Sequence, residues 1–278
     1  MSSIHIVTHT LLAFVIAGSA ANNTCAGNID SNLNAELEKI SQLKIFFGHQ
    51  SVGVNLLDGV SQLATQSGVP IRITEVKAAN SVEPAMFGHA FVAKNGFPLQ
   101  KLENFNQTIG LAPSGLDIAL VKFCYIDFSE NTDVKTLFNH YRTTIEDLQA
   151  RNPTTVFVHI TAPLTIVQGG IKGKLKRLLG RAPYGVIENI RREEYNSLLR
   201  KAYQNSEPIF DLARIESTAP DGTLVAVEWQ NLTVPAMSPI YTDDGEHLNA
   251  DGKLIAAREL ISILASIDQP VVVDDPSR

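Results

Sequence analysis

Cysteine is scarce: Cys25 and Cys124 are the only two in 278 residues, too few for a disulfide framework. An exported chain could still join them, although Cys124 lies in an apolar run where a buried free thiol is the ordinary state. Positive charge is also short. Lys and Arg number 23 against 29 Asp and Glu, a formal net charge of −6, and a nucleic-acid binder would carry a basic surplus. No apolar run approaches the roughly 18 residues of a membrane span. No His/Cys/Asp/Glu cluster has ligand spacing, so neither a metal nor a cofactor is expected. Internal repeats and low-complexity segments are missing too.

Lys and Arg are absent before Leu11, yet the next ten residues are ordered like a secretory leader. An apolar core over 11–17 gives way to Gly18, Ser19, Ala20 and Ala21. Residues 1–21 are therefore expected to be a signal peptide, with the protein secreted or periplasmic. The alternative is a frayed or partly buried N-terminal segment.

The rest of the chain alternates. Apolar runs over 44–47, 69–76, 117–123, 155–161 and 208–212 predict strands. Helical periodicity predicts helices over 35–43, 53–65, 134–151, 186–205 and 250–267. Strands that alternate with helices predict a parallel sheet covered on both faces, here in one α/β domain over 22–268 with a loose tail over 269–278. Stretches 77–106 and 216–239 read as long loops, which in a compact domain usually serve function. Stretch 166–184 is glycine-rich. It carries Lys172, Lys174, Lys176, Arg177 and Arg181 without one acidic residue. Such a run is most often a solvated face; the functional alternatives are a mobile lid or a docking site for an anionic substrate or membrane surface.

The chemistry gathers at two ends. Residues 45–57, I-F-F-G-H-Q-S-V-G-V-N-L-L, read as a strand that runs through a tight turn into a helix. Ser51 falls near that helix's N-terminus, where backbone N–H groups can stabilise an oxyanion. A serine hydroxyl needs an imidazole base, and the imidazole needs a carboxylate to orient it. Asp244 and His247, three residues apart before the last helix, can supply both. His49 is expected to brace the serine loop, and His159 to be a satisfied core histidine. Asp211 is a possible substitute for Asp244, and Asp127 a possible organiser of its loop.

These motifs resemble the SGNH or GDSL hydrolases. The run D-G-E-H-L-N-A-D-G over 244–252 is similar to that family's last block. G-H-Q-S over 48–51 resembles its Gly-Asp-Ser block with one residue more. The resemblance implies a flavodoxin-like three-layer α/β/α sandwich around a mainly parallel five-stranded sheet. It implies a Ser51–His247–Asp244 triad that cleaves carboxylic esters through an acyl-enzyme. It also implies an oxyanion hole with a glycine donor, Gly96 or otherwise Gly88, and an asparagine donor. Cys124 of Lys122-Phe123-Cys124-Tyr125 stands where that asparagine belongs, so the donor is missing or comes from Asn95, Tyr125 or Lys122. The implied partner is a small-molecule, glycan or lipid ester. Two other functions use the same features: a glycan- or ligand-binding protein on a degenerate hydrolase scaffold, and an acyltransferase with the same triad. Acyl length, alcohol part and oligomeric state have no signature in the sequence.

Overall fold

A computed structural model describes residues 23–110 and 113–268, with side chains from Asn32 onward. The expected leader over 1–21, the tail over 269–278 and the Cys25 side chain, with its possible pairing, lie outside the described residues.

The core is one sheet of six parallel strands in the order β2-β3-β1-β4-β5-β6. They are β1 (Lys44–His49), β2 (Ile73–Glu75), β3 (Met86–Phe91), β4 (Ile118–Val121), β5 (Val156–Ile160) and β6 (Ile209–Phe210). Their apolar runs are nearly continuous because both faces are covered. Ile45 and Phe47 point into one hydrophobic cluster and Phe46 into the other. On the first side pack α1 (Asn23–Ile40), α2 (Ser51–Ser67), α7 (Leu212–Ser217) and α8 (Ala250–Ser266). On the second pack α3 (Pro98–Ile109), α4 (Val134–Arg151) and α6 (Val186–Tyr203). The three layers agree with the expectation, and the strand count does not. The sixth strand, β3, lies in the stretch read as a loop, and α3 begins there too. Gly88 broke the strand pattern, yet it sits in the ladder between Phe46 and Thr74. A Cβ on it would meet Val82 at 2.6 Å. Being inside a strand, Gly88 is no oxyanion donor. The second long loop also holds structure: strands β7 (Ala226–Trp229) and β8 (Leu232–Pro235) form a hairpin. Gln230 and Asn231 turn it with φ of 48° and 66°, as a two-residue hairpin turn of matching twist requires.

The chain order positions the site. From β1 at the centre the chain goes out to β2, returns through β3, then crosses β1 to build β4, β5 and β6. Connections therefore diverge at the carboxyl end of β1, which opens the crevice where α/β sheets bind ligands. Ser51 follows β1, and Cys124 follows β4.

Helices α2 and α8 lie against each other so closely that only glycine fits at position 59. A Cβ there would be 2.5 Å from the Lys253 carbonyl oxygen and 2.7 Å from the Ala257 Cβ. Asn249 caps α8 by accepting the Gly252 N–H at 3.0 Å, so the His247 loop and the Ser51 helix are joined through this contact. Gly59→Val is expected to push the helices apart and destabilise the fold by about 1–3 kcal/mol, which thermal denaturation would read as a fall of several degrees. An unchanged melting temperature would contradict this close approach.

Glu216 of α7 is wholly buried. Its Oε2 accepts the Leu164 N–H at 2.6 Å, and its Oε1 has no partner among the described residues. Burial pushes its pKa up to about 8, against the pull of that hydrogen bond and of Lys122 and Arg192. A raised folded-state pKa means stability that is full below the ordinary carboxylate range and lost as pH rises through about 8. Urea midpoints for the wild type should therefore fall between pH values on either side of that window, and Glu216→Gln should flatten the fall. Parallel profiles for the two proteins would rule this out.

Candidate active site

The turn between β1 and α2 is rigid for reasons its sequence states only in part. His49, the last residue of β1, is fully buried. Its Nε2 meets His89 Nδ1 at 3.1 Å and its Nδ1 meets the Gln50 carbonyl at 3.2 Å. Burial pushes its pKa down to about 3, with the Gln50 carbonyl pulling the other way. The ring lies on the first turn of α2, where a Cβ on Gly53 would approach His49 to 2.4 Å. The expected bracing role of His49 thus has a geometry, and the glycine after Ser51 makes room for an imidazole. Gln50, at the N-cap of α2, gives no side-chain acceptor to that helix. Its amide instead donates to the carbonyls of Val92 and Ala93. The first N–H groups of α2, that of Ser51 among them, are left uncapped by it.

Ser51 Oγ has one hydrogen-bond partner among the described residues, Cys124 Sγ at 3.8 Å. A thiol is a weak partner. Tyr125, next in the chain, sets its ring edge-on to His247 with centroids 5.5 Å apart. Ser51 thus meets the residue that caps the short turn Tyr125–Asp127, and His247 meets the first residue of that turn, without a hydrogen bond between Ser51 and His247. His247 and Asp244 are joined directly. His247 Nδ1 meets Asp244 Oδ2 at 2.8 Å, while Asp244 Oδ1 accepts the N–H groups of Glu246 and His247, each at 2.8 Å. Partial burial pushes the Asp244 carboxyl up; these N–H donors and the imidazole outweigh it and hold it well below the usual carboxylate range. It is an anion at neutral pH, placed to fix the His247 tautomer with the proton on Nδ1.

The residues around this pair are held by a buried carboxylate. Asp127 accepts the Gly96 N–H at 2.7 Å, the Cys124 N–H at 2.6 Å and Lys101 Nζ at 2.6 Å. The expectation for Gly96 is therefore corrected: its N–H is already committed to Asp127. Lys122 is corrected as well. It is fully buried, and its Nζ donates to the Phe123 carbonyl at 2.9 Å. Cys124 has its N–H committed to Asp127 and its thiol facing Ser51. Tyr125 Oη donates to Glu246 at 2.9 Å, and the Arg192 guanidinium grips the Tyr125 carbonyl from Nε and Nη2 at 3.0 and 2.8 Å. Asn95 is different. Its Oδ1 accepts from Lys101 Nζ at 2.8 Å, which turns the amide so that Nδ2 remains a donor.

Asp211 pairs with Arg200 at 2.8 and 2.9 Å and caps α7, so it is no substitute for Asp244. His159 is held between Tyr141 Oη at 2.7 Å and Glu207 at 3.0 Å and is stacked on Tyr203, a satisfied core histidine. Among the described residues no group of three or more His, Cys, Asp or Glu could hold a metal ion, and no helix is long and apolar enough to cross a membrane. A groove of about 790 Å³ between α4, α6 and β8 lies apart from these residues and is lined by Val134, Arg191, Leu198 and Leu232. Sequence reasoning missed Lys101, Glu246 and Arg192. Glu246 alone carried a signal, since it sits inside the Asp244–His247 block.

No protein-family model matches the chain, and no curated protein matches it. Its course is similar to those of several solved structures. A GDSL-like lipase from Bacteroides thetaiotaomicron is 12% identical over 88% of this chain and 95% of its own, with a TM-score of 0.45. A carbohydrate esterase of family 3 from Talaromyces cellulolyticus is 14% identical over 80% and 96%, with a TM-score of 0.44. A salicylyl-acyltransferase from a tetracycline biosynthetic pathway is 12% identical over 81% and 55%, with a TM-score of 0.41. At such scores the likeness does not reach the chemistry, which rests on the residues above.

Proposed function

We propose that the protein is a serine hydrolase that cleaves carboxylic esters, with Ser51 as nucleophile, His247 as base and Asp244 as the orienting acid. The observation that carries this reading is the His247–Asp244 pair at 2.8 Å, with His247 packed on Tyr125, the residue after the Cys124 that Ser51 touches. The Cys124 thiol restrains the Ser51 hydroxyl only weakly, so it opposes little the turning of that hydroxyl toward His247 Nε2. His247 takes the hydroxyl proton as Ser51 Oγ bonds to the ester carbonyl carbon. The resulting oxyanion is met by the Ser51 N–H at the start of α2 and, in this reading, by Asn95 Nδ2, since Lys101 takes up only the Oδ1 of that amide. Collapse expels the alcohol, protonated by His247, and leaves an acyl-serine. Water, deprotonated by His247, then attacks that ester and releases the acid. An N-terminal leader would place the enzyme outside the cytoplasm; that part of the reading rests on 11–21 alone.

A second reading, a ligand-binding protein on this scaffold, has one observation in its favour: the Gly96 N–H is committed to Asp127, and losing an oxyanion donor typically costs about a hundredfold or more in rate. A serine-reactive fluorophosphonate separates the two. Prompt labelling that needs both Ser51 and His247 supports the hydrolase, and no labelling of the wild type supports the binder. An acyltransferase would reveal itself by transfer to added sugar or glycerol in preference to water.

Turnover of a short-chain chromogenic ester should drop by about a thousandfold or more in Ser51→Ala and His247→Ala. Asp244→Asn should lose less than either, because His247 keeps its position but not its preferred tautomer. Wild-type turnover in Ser51→Ala would sink the assignment.

Asp127→Asn should leave buried Lys101 without its counter-charge and destabilise the fold by about 3–5 kcal/mol. In the folded fraction kcat should fall more than KM rises, since Asp127 holds the Gly96 and Cys124 loops and touches no substrate. Denaturant titration together with steady-state kinetics would check both parts.

A further inference from the structure

The glycine-rich stretch between β5 and α6 folds into a short helix, α5 (Gly170–Leu178). Ile171, Leu175 and Leu178 recur at the spacing of one helix side, yet this side is not packed: they are 87%, 54% and 83% exposed. Leu179 just beyond is 62% exposed. Isolated exposed aliphatics are ordinary on a surface, but four in nine consecutive positions form a patch. The polar residues among them are of one sign. Lys172, Lys174, Lys176 and Arg177 lie on α5, Arg181 follows, and no Asp or Glu occurs between 166 and 184. None of these five cations is in an ion pair among the described residues, although 13 such pairs occur elsewhere.

An apolar stripe set among cations of a single sign, in a chain of net charge −6, is complementary to a surface that is anionic outside and apolar beneath. An anionic lipid bilayer has both properties. The stems of α5 reach the rim of the proposed catalytic loop. The Ile166 N–H donates to the Gly245 carbonyl at 3.0 Å, the Gln168 N–H to the Tyr184 carbonyl at 2.9 Å, and Tyr184 Oη to Glu246 at 2.9 Å. We propose that α5 docks the protein on anionic membrane surfaces, with the Asp244–His247 loop beside the lipid. That the substrate is then a membrane-resident ester rests on the hydrolase reading; the docking does not.

Sedimentation of the full chain with vesicles tests it. The vesicles are phosphatidylcholine alone, or phosphatidylcholine with a minority of phosphatidylglycerol. Wild type should sediment with the anionic vesicles at low salt and be released by high salt or by loss of phosphatidylglycerol. The paired substitutions K172E with K176E, and I171S with L178S, should each weaken partition by about tenfold or more. Ile171, Lys172 and Leu178 are exposed and Lys176 is half-buried, and none of the four belongs to the proposed catalytic machinery, so turnover of a soluble short-chain ester should be unchanged in both variants. Because the readout is sedimentation, a protein without ester turnover but with this pattern of binding overturns the hydrolase and keeps the docking. Equal partition of wild type and both variants overturns the docking alone. So does self-association in the ultracentrifuge that the same substitutions abolish without any vesicle binding, which would assign the patch to a second copy of the chain.

Discussion

Asp127 is the point on which the candidate site depends. Its buried carboxylate takes a proton donor from the loop after β3, another from the loop after β4, and a third from Lys101 on α3. Those two loops flank β1 on either side. Without an acceptor common to both, the Gly96 and Cys124 segments would each have an unpaired N–H at the edge of the crevice, and nothing would set their separation. A buried ion pair of this kind adds little net stability. Its effect is positional: it fixes which groups can face Ser51. It also occupies the Gly96 donor, so the same contact that organises the hole removes one candidate from it.

The second constraint is the passage from β1 into α2. His49 is buried and neutral, bonded to His89 and to the Gln50 carbonyl, and the first turn of α2 lies on it. A charged imidazole there would have to desolvate inside the sheet, so its low pKa and its close packing against Gly53 describe the same fact. Of the two residues between Gly48 and Ser51, the first is this histidine and the second, Gln50, points its amide at the carbonyls that follow β3. Ser51 stands at the first position of the helix as a consequence, with the helix N-terminus behind it.

The parts of this arrangement readable in the sequence were those with a period or a motif. The continuous apolar runs of 117–123 and 155–161 became strands buried on both faces, and 134–151 became a helix with those bounds. The Asp244–His247 pair was readable because both residues lie on one tight turn. β3 was not, because Gly88 interrupts its apolar pattern and the reason for that glycine, the Val82 side chain, comes from a different segment. The hairpin of β7 and β8 escaped because its turn residues, Gln230 and Asn231, are a less usual pair than Asn-Gly. Asp127 was readable as an organiser of its own loop, where it accepts the Cys124 N–H three residues back; its pairing with Lys101 and the grip of Arg192 on Tyr125 join segments 26 and 67 positions apart, and no local pattern encodes such a pairing.

The contacts around Tyr125 connect the parts. Arg192 holds its carbonyl from α6 and also reaches Thr165 Oγ1 at 2.9 Å and Asn189 Oδ1 at 2.5 Å. Thr165 lies just before the stem of α5. Glu246 accepts from Tyr125 on one oxygen and from Tyr184, at the other stem, on the second. The ring of Tyr125 meets His247. A displacement of either stem would therefore reach His247 through the Glu246 carboxylate, and the carbonyl of Tyr125 through Arg192. Both paths converge on Tyr125, the residue that follows Ser51's partner Cys124 in the chain. The Asp244–His247 loop is thus tied to the exposed helix through Gly245 and Glu246, and a surface that binds α5 has a mechanical route to His247.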